Sequence, residues 1–161
     1  MMILPDAGLS RVIGLLEVVH DHGNSHETVK LADELGLNLE TLLPVIEAGE
    51  MLGFIDVAGG KIKLTDSGTG IVNGKILERK VAIKEKLASM EPFKRVMELL
   101  KSKKNGRMTK KSLQKVLRQE LPKEQADKTA SRIIEWGRHA DLLGYNADSD
   151  ELYLQVEPKK S

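Results

Sequence analysis

The chain of 161 residues contains no cysteine. Disulfides, thiolate zinc sites, thiol nucleophiles and iron–sulfur clusters are therefore all excluded. Aromatic residues amount to only 3%, with two Phe, two Tyr and one Trp. A core must then come mainly from Leu, Ile, Val, Ala and Met, which favours helix over an aromatic-rich sandwich. No apolar run approaches the ~20 residues that span a bilayer, and no basic segment precedes the apolar N-terminus. The expectation is a cytoplasmic chain without membrane insertion. Gly-x-Ser-x-Gly, His-Glu-x-x-His and dinucleotide fingerprints are also missing, and no nucleophile, metal set or acid–base pair stands out. Gly68 to Lys75 approaches a phosphate loop, but its glycine spacing is one residue too long and Ile76 stands where Ser or Thr is required. The chain is expected to be no enzyme and to hold no cofactor.

What is present is charge, unevenly placed. The net charge is +1, yet residues 1–70 hold four basic and eleven acidic side chains while the rest hold 21 and 13. Halves of opposite sign either attract each other or meet different partners.

Hydrophobic spacing organises both halves. Leu9, Val12, Ile13 and Leu16 form one face of a helix ended by His22-Gly23-Asn24. Ser25 stands as the cap of a second helix that closes at Gly36, and Asn38 caps a third over residues 39–52, where Pro44 either marks a delayed start or kinks the helix. Phe54, Ile55 and Val57, then Ile62 and Leu64 across Gly59-Gly60, read as a β-hairpin. Three helices and a hairpin predict a winged helix. In residues 75–90, Ile76, Ile83, Leu87 and Met90 make a narrow seam, suited to packing on a domain or to pairing with a second copy in a homodimer.

The second half repeats the first. Arg11-Val12 to Leu16 matches Arg95-Val96 to Leu100, Ser25 matches the cap Thr109, and Met51 to Phe54 matches Leu142 to Tyr145. The last spacing is longer, so the third helix of the second copy is expected to gain about two turns. The predicted fold is mainly α with small β-hairpins (α+β), a tandem winged-helix pseudo-repeat: an acidic domain 1–70, a connector helix 71–90 and a basic domain 91–161.

Winged helices often read DNA with the third helix. In the first copy that helix carries Glu40, Glu47 and Glu50 and no Lys or Arg, so it would repel phosphate. The second copy offers Lys101, Lys103, Lys104, Arg107, Lys110, Lys111, Lys115 and Arg118 with no acid among them. Together with Arg138 and His139, the run from Lys103 to Arg118 is the candidate contact surface for nucleic acid or for a protein partner. The solvated face of an ordinary helix accounts for Lys111, Lys115 and Arg118 equally well.

His20, His22 and His26 invite a metal reading. Along a helix, however, His20 and His22 point about 200° apart, so surface histidines and no metal site are expected. In Trp136-Gly137-Arg138-His139-Ala140, Trp136 falls on the apolar face with Ile133, Ala140 and Leu143, and Gly137 is expected to admit a close helix.

Several strings together resemble a known family. They are Leu42 to Ala48, Leu52-Gly53-Phe54, Leu64-Thr65-Asp66-Ser67-Gly68, Glu78-Arg79-Lys80, and Trp136 to Asp141 with Tyr145. They resemble the AAA-associated C-terminal domain, which is found on ATP-binding subunits of nitrate-, sulfonate- and taurine-class ABC importers and also as a freestanding protein. The resemblance runs over about residues 9–155, with His139 where that family has an aromatic. It implies a non-catalytic accessory or regulatory module whose partner is an ABC-type ATPase subunit, and it supplies no catalytic residues or ligand.

Overall fold

The computed structural model describes residues 2–155. The described chain is mainly helical, with two small antiparallel sheets of three strands each. It divides into two compact units: one is Pro5–Arg79, and the other joins the N-terminal residues up to Leu4 with the chain from Lys80 onward.

The first unit runs α1 (Leu9–Asp21), β1 (Ser25–Glu27), α2 (Thr28–Leu35), α3 (Leu39–Met51), β2 (Ile55–Ala58), β3 (Lys61–Leu64) and α4 (Asp66–Asn73). Its core is the apolar face of α1, where Leu9, Val12, Leu15, Leu16 and Val19 are buried, packed on α3, α4 and β3. Asn38 caps α3 by accepting from the Thr41 N–H at 2.8 Å, satisfying one of the orphan donors of the first turn. Pro44 lies inside α3, where it removes one helical hydrogen bond. Gly59 and Gly60 both have positive φ, 58° and 74°, as a two-residue turn between twisted strands demands. Sheet order is β1-β3-β2, so β1 is an edge.

Helix α5 (Ile76–Ser89) begins in the first unit and continues into the second. Of the seam read from sequence, Ile83, Leu87 and Met90 are buried and Ile76 is exposed.

The second unit follows with α6 (Glu91–Ser102), β4 (Arg107–Thr109), α7 (Lys110–Arg118), α8 (Lys123–His139), β5 (Leu143–Asn146) and β6 (Glu151–Leu154). Its sheet order, β4-β6-β5, corresponds to that of the first. Trp136 and Phe93 are fully buried, their ring centroids 6.5 Å apart and nearly parallel. Around them α8 packs on α6, α7 and β5.

Several details differ from the sequence expectation. Ser25 does not cap α2: it lies in β1 opposite Lys63, and α2 starts at Thr28 after Glu27. A three-residue strand is too short to show an alternation. The counterpart of Thr109, which caps α7 by accepting from the Ser112 N–H, is therefore Glu27. Helix α8 exceeds α3 by 17 residues to 13, about one turn rather than two. The rest of the extra length before the strand is one residue in α7 and one in the connection that follows it, 119–122 against 36–38. The first strand residues Ile55 and Leu143 hold matching registers with Leu64 and Leu154. Leu142 thus takes the place of Phe54, and Asp141, with φ 56°, takes that of Gly53, with φ 76°.

Candidate functional site

The outward face of α3 is apolar and acidic. Leu39 and Leu43, one turn apart, remain 48% and 51% exposed, and Glu40, Glu47 and Glu50 are exposed around them. The opposite face, Leu42, Val45, Ile46 and Ala48, is buried, so the two leucines are surplus to the core.

In the second unit the sequence-predicted residues fall into separate groups. Lys103, Lys104 and Arg107, with Lys101 and Tyr153, line an open cleft of about 470 Å³. The Arg107 guanidinium lies 4.7 Å from the Tyr153 ring centroid, a cation–π distance. Lys110, Lys111 and Lys115 sit on α7, the last two exposed. Arg118 is engaged by Asp127, Nε to Oδ1 at 2.9 Å and Nη2 to Oδ2 at 2.8 Å. Those paired hydrogen bonds raise the Arg118 pKa and lower that of Asp127. On helix α8, Lys128 pairs with Glu124 and Arg132 with Glu135. Arg138 is exposed at the end of α8, 5.6 Å from the Tyr145 ring centroid. His139 is half-buried, and burial together with the nearby Lys80 ammonium pushes its pKa below the ordinary value. Neither lines the basic cleft.

A third group was not expected. His22, in the turn after α1, and His26, in β1, stack with ring centroids 4.0 Å apart. Both meet Glu34 of α2: His22 Nε2 lies 2.9 Å from Oε2, and His26 Nε2 lies 3.0 Å from Oε1. His26 is only 8% exposed. Partial desolvation opposes ionisation of Glu34, but hydrogen bonds from His26 and His22 hold its carboxyl below the usual range. His20 stands apart, bonded to Asn24. Helix α1 ends at Asp21, ahead of both His22 and His26, and Gly23 and Asn24 at positive φ turn the chain back and bring the two rings together. Glu34, four residues C-terminal to Lys30 on α2, carried no signal beyond an ordinary helix face.

The distinctive strings of the sequence are structural joints. Thr65 donates to the Gly53 carbonyl at 2.6 Å, accepts from the Gly68 N–H at 3.1 Å, and its own N–H bonds the Phe54 carbonyl at 3.0 Å. A Cβ on Gly68 would stand 2.0 Å from the Phe54 oxygen. In the second unit the Leu142 N–H bonds the Gly137 carbonyl at 2.8 Å, and a Cβ on Gly137 would meet Leu143 at 2.5 Å. What Gly137 admits is thus a strand side chain, not a helix. No curated protein and no solved structure matches the chain. The model of the C-terminal AAA-associated domain matches residues 29–146, well over half of the chain and containing most of these joints. The chain belongs to the C-terminal AAA-associated domain family.

Proposed function

We propose that the chain is a non-catalytic, cytoplasmic accessory module of two winged helices that docks on the ATP-binding subunit of an ABC-type transporter and modulates its turnover. The surface of α3 is the observation that carries this reading. A DNA-reading third helix lies in the major groove between phosphates, and Glu40, Glu47 and Glu50 around Leu39 and Leu43 oppose that placement. The same surface suits a protein partner with an apolar hollow and a basic rim. Family membership supports the ATPase as partner. The shared order helix, strand, helix, helix, hairpin, with corresponding sheet orders, supports the winged-helix reading of each unit.

The test is the ATP turnover of purified ABC-type ATPase subunits from the same genome, titrated with the chain. A saturable change is expected. Unchanged turnover together with no complex on gel filtration contradicts the reading.

One observation favours a second reading, a DNA-binding regulator: Lys101, Lys103, Lys104 and Arg107 converge on one cleft beside Tyr153. A labelled random duplex would then bind at micromolar concentration or better, weakening steeply with salt. A homodimer through α5 would cover Ile76, Leu77 and Val81, which are 73%, 67% and 55% exposed, and sedimentation velocity would detect it.

A further inference from the structure

We propose that His22, His26 and Glu34 form a binding site for a divalent transition ion, Zn²⁺ by its ligand chemistry. Two imidazoles and one carboxylate are borderline N and O donors, the set that zinc accepts with a fourth position left to water. Three donors come from three elements, the turn after α1, β1 and α2, and their ligand atoms all lie within 4.8 Å of one another. They border an open cavity of about 340 Å³ together with Ser25 and Lys61. Zn–N and Zn–O distances of about 2.0–2.2 Å in a tetrahedron place neighbouring donor atoms roughly 3.3 Å apart. The Nε2–carboxylate distances, 2.9 Å to Oε2 for His22 and 3.0 Å to Oε1 for His26, need to open by a few tenths of an ångström, and for one oxygen to serve both rings the wider donor pairs, none beyond 4.8 Å, close by up to about 1.5 Å.

The tautomers can follow. The Glu27 N–H donates to His26 Nδ1 at 3.0 Å, so the His26 ring presently carries its proton on Nε2 and gives it to Glu34. Ligation through Nε2 moves that proton to Nδ1 and displaces the Glu27 N–H. The displaced group does not go unsatisfied. Register pairs Asn24 with Leu64 and Thr28 with Gly60 through hydrogen bonds, so the Glu27 N–H points away from β3, at the open edge of the sheet where water reaches it. Bound there, the ion would fasten α2 to the turn after α1 and to the edge strand.

The test uses untagged full-length protein, stripped with chelator and dialysed. One equivalent of Co²⁺ is expected to give the visible absorption of a four- or five-coordinate site, Zn²⁺ to bleach it, and Zn²⁺ to raise the Tm. Loss of an outer partner costs about 10–100-fold in metal affinity and removal of a ligand should cost no less, so His22→Ala and Glu34→Gln are each expected to weaken the ion at least about tenfold. Both side chains are part-exposed, 45% and 39%, which keeps the variants folded, as circular dichroism will verify. His20→Ala is expected to bind as the parent does. Absence of a saturable one-equivalent site, or full Co²⁺ absorption in the His22→Ala, Glu34→Gln double variant, overturns the proposal.

Discussion

In the first unit the third helix shows solvent two leucines and three glutamates; in the second, Lys128 and Arg132 along its middle are answered by acids on the same helix, and Lys123 and Arg138 stand exposed at its ends. Helix α3 keeps Leu39 and Leu43 at about half exposure amid Glu40, Glu47 and Glu50. Helix α8 holds Lys128 against Glu124, Arg132 against Glu135, and Asp127 against Arg118 of α7. Both helices fill the same place in the element order, and each is closed at its C-terminal end by a glycine packed on the strand that follows, Gly49 on Ile55 and Gly137 on Leu143. The shared features are therefore those of packing, and the differences lie in what is left for a partner. An apolar patch with no core to fill costs solvation unless something covers it, whereas a self-paired charged face is content in water.

Five substitutions, one of them a control, sharpen this comparison. Trp136 is fully buried against Phe93, and Trp136→Ala is expected to cost the second unit about 3–5 kcal/mol in denaturant unfolding. The joint of the first unit is tested by Gly68→Ala, whose Cβ meets backbone that cannot swing aside. The expected loss is about 3 kcal/mol. Gly70→Ala, two residues on in the same helix with open space around it, is the control and gains about 0.5–1 kcal/mol. If Gly68→Ala were as benign as Gly70→Ala, the joint would not be the constraint that the family strings encode. A smaller effect of opposite sign is expected in α8, where Thr129 Oγ1 is buried with no hydrogen-bond partner. Thr129→Val removes that hydroxyl at constant shape and should stabilise by about 1 kcal/mol. The smallest effect concerns pH. With its folded pKa depressed by burial and Lys80, against the weaker pull of Glu135 and Asp141, His139 takes up a proton more readily when the chain is unfolded. Stability should therefore fall as pH drops below the ordinary histidine value, and His139→Gln should flatten that slope on the acid side of neutral pH. An unchanged slope would mean that the ring is hydrated in solution.

Much of this fold is legible in sequence. The face of α1, the caps Asn38 and Thr109, the Gly-Gly hairpin and the inward Trp136 all follow from spacing and cap chemistry, because each is decided within a few residues. Pairings formed at a distance are harder to see. Strands β1 and β4 have three residues each and exist through β3 and β6, so no local pattern marks them. The equivalence of Phe54 with Leu142 depends on hairpin length, and matching the similar Leu-Gly-aromatic strings shifts it by three residues. The histidine pair was hidden for the same reason: its partner Glu34 lies on another element, brought near by the fold. The basic run was visible as composition, but which of its members are free was not, since Arg118 is held by Asp127.

The measurement that bears most directly on the account is the affinity of the chain for purified ABC-type ATPase subunits, compared between the parent and the double variant Leu39→Lys, Leu43→Lys. Both positions are exposed, so stability should change by no more than about 0.5 kcal/mol. The account predicts binding by the parent and loss of at least about tenfold in affinity for the variant, since the apolar anchors become charges matching the partner's basic rim. Equal affinity of parent and variant would contradict it, and would move the docking surface away from α3.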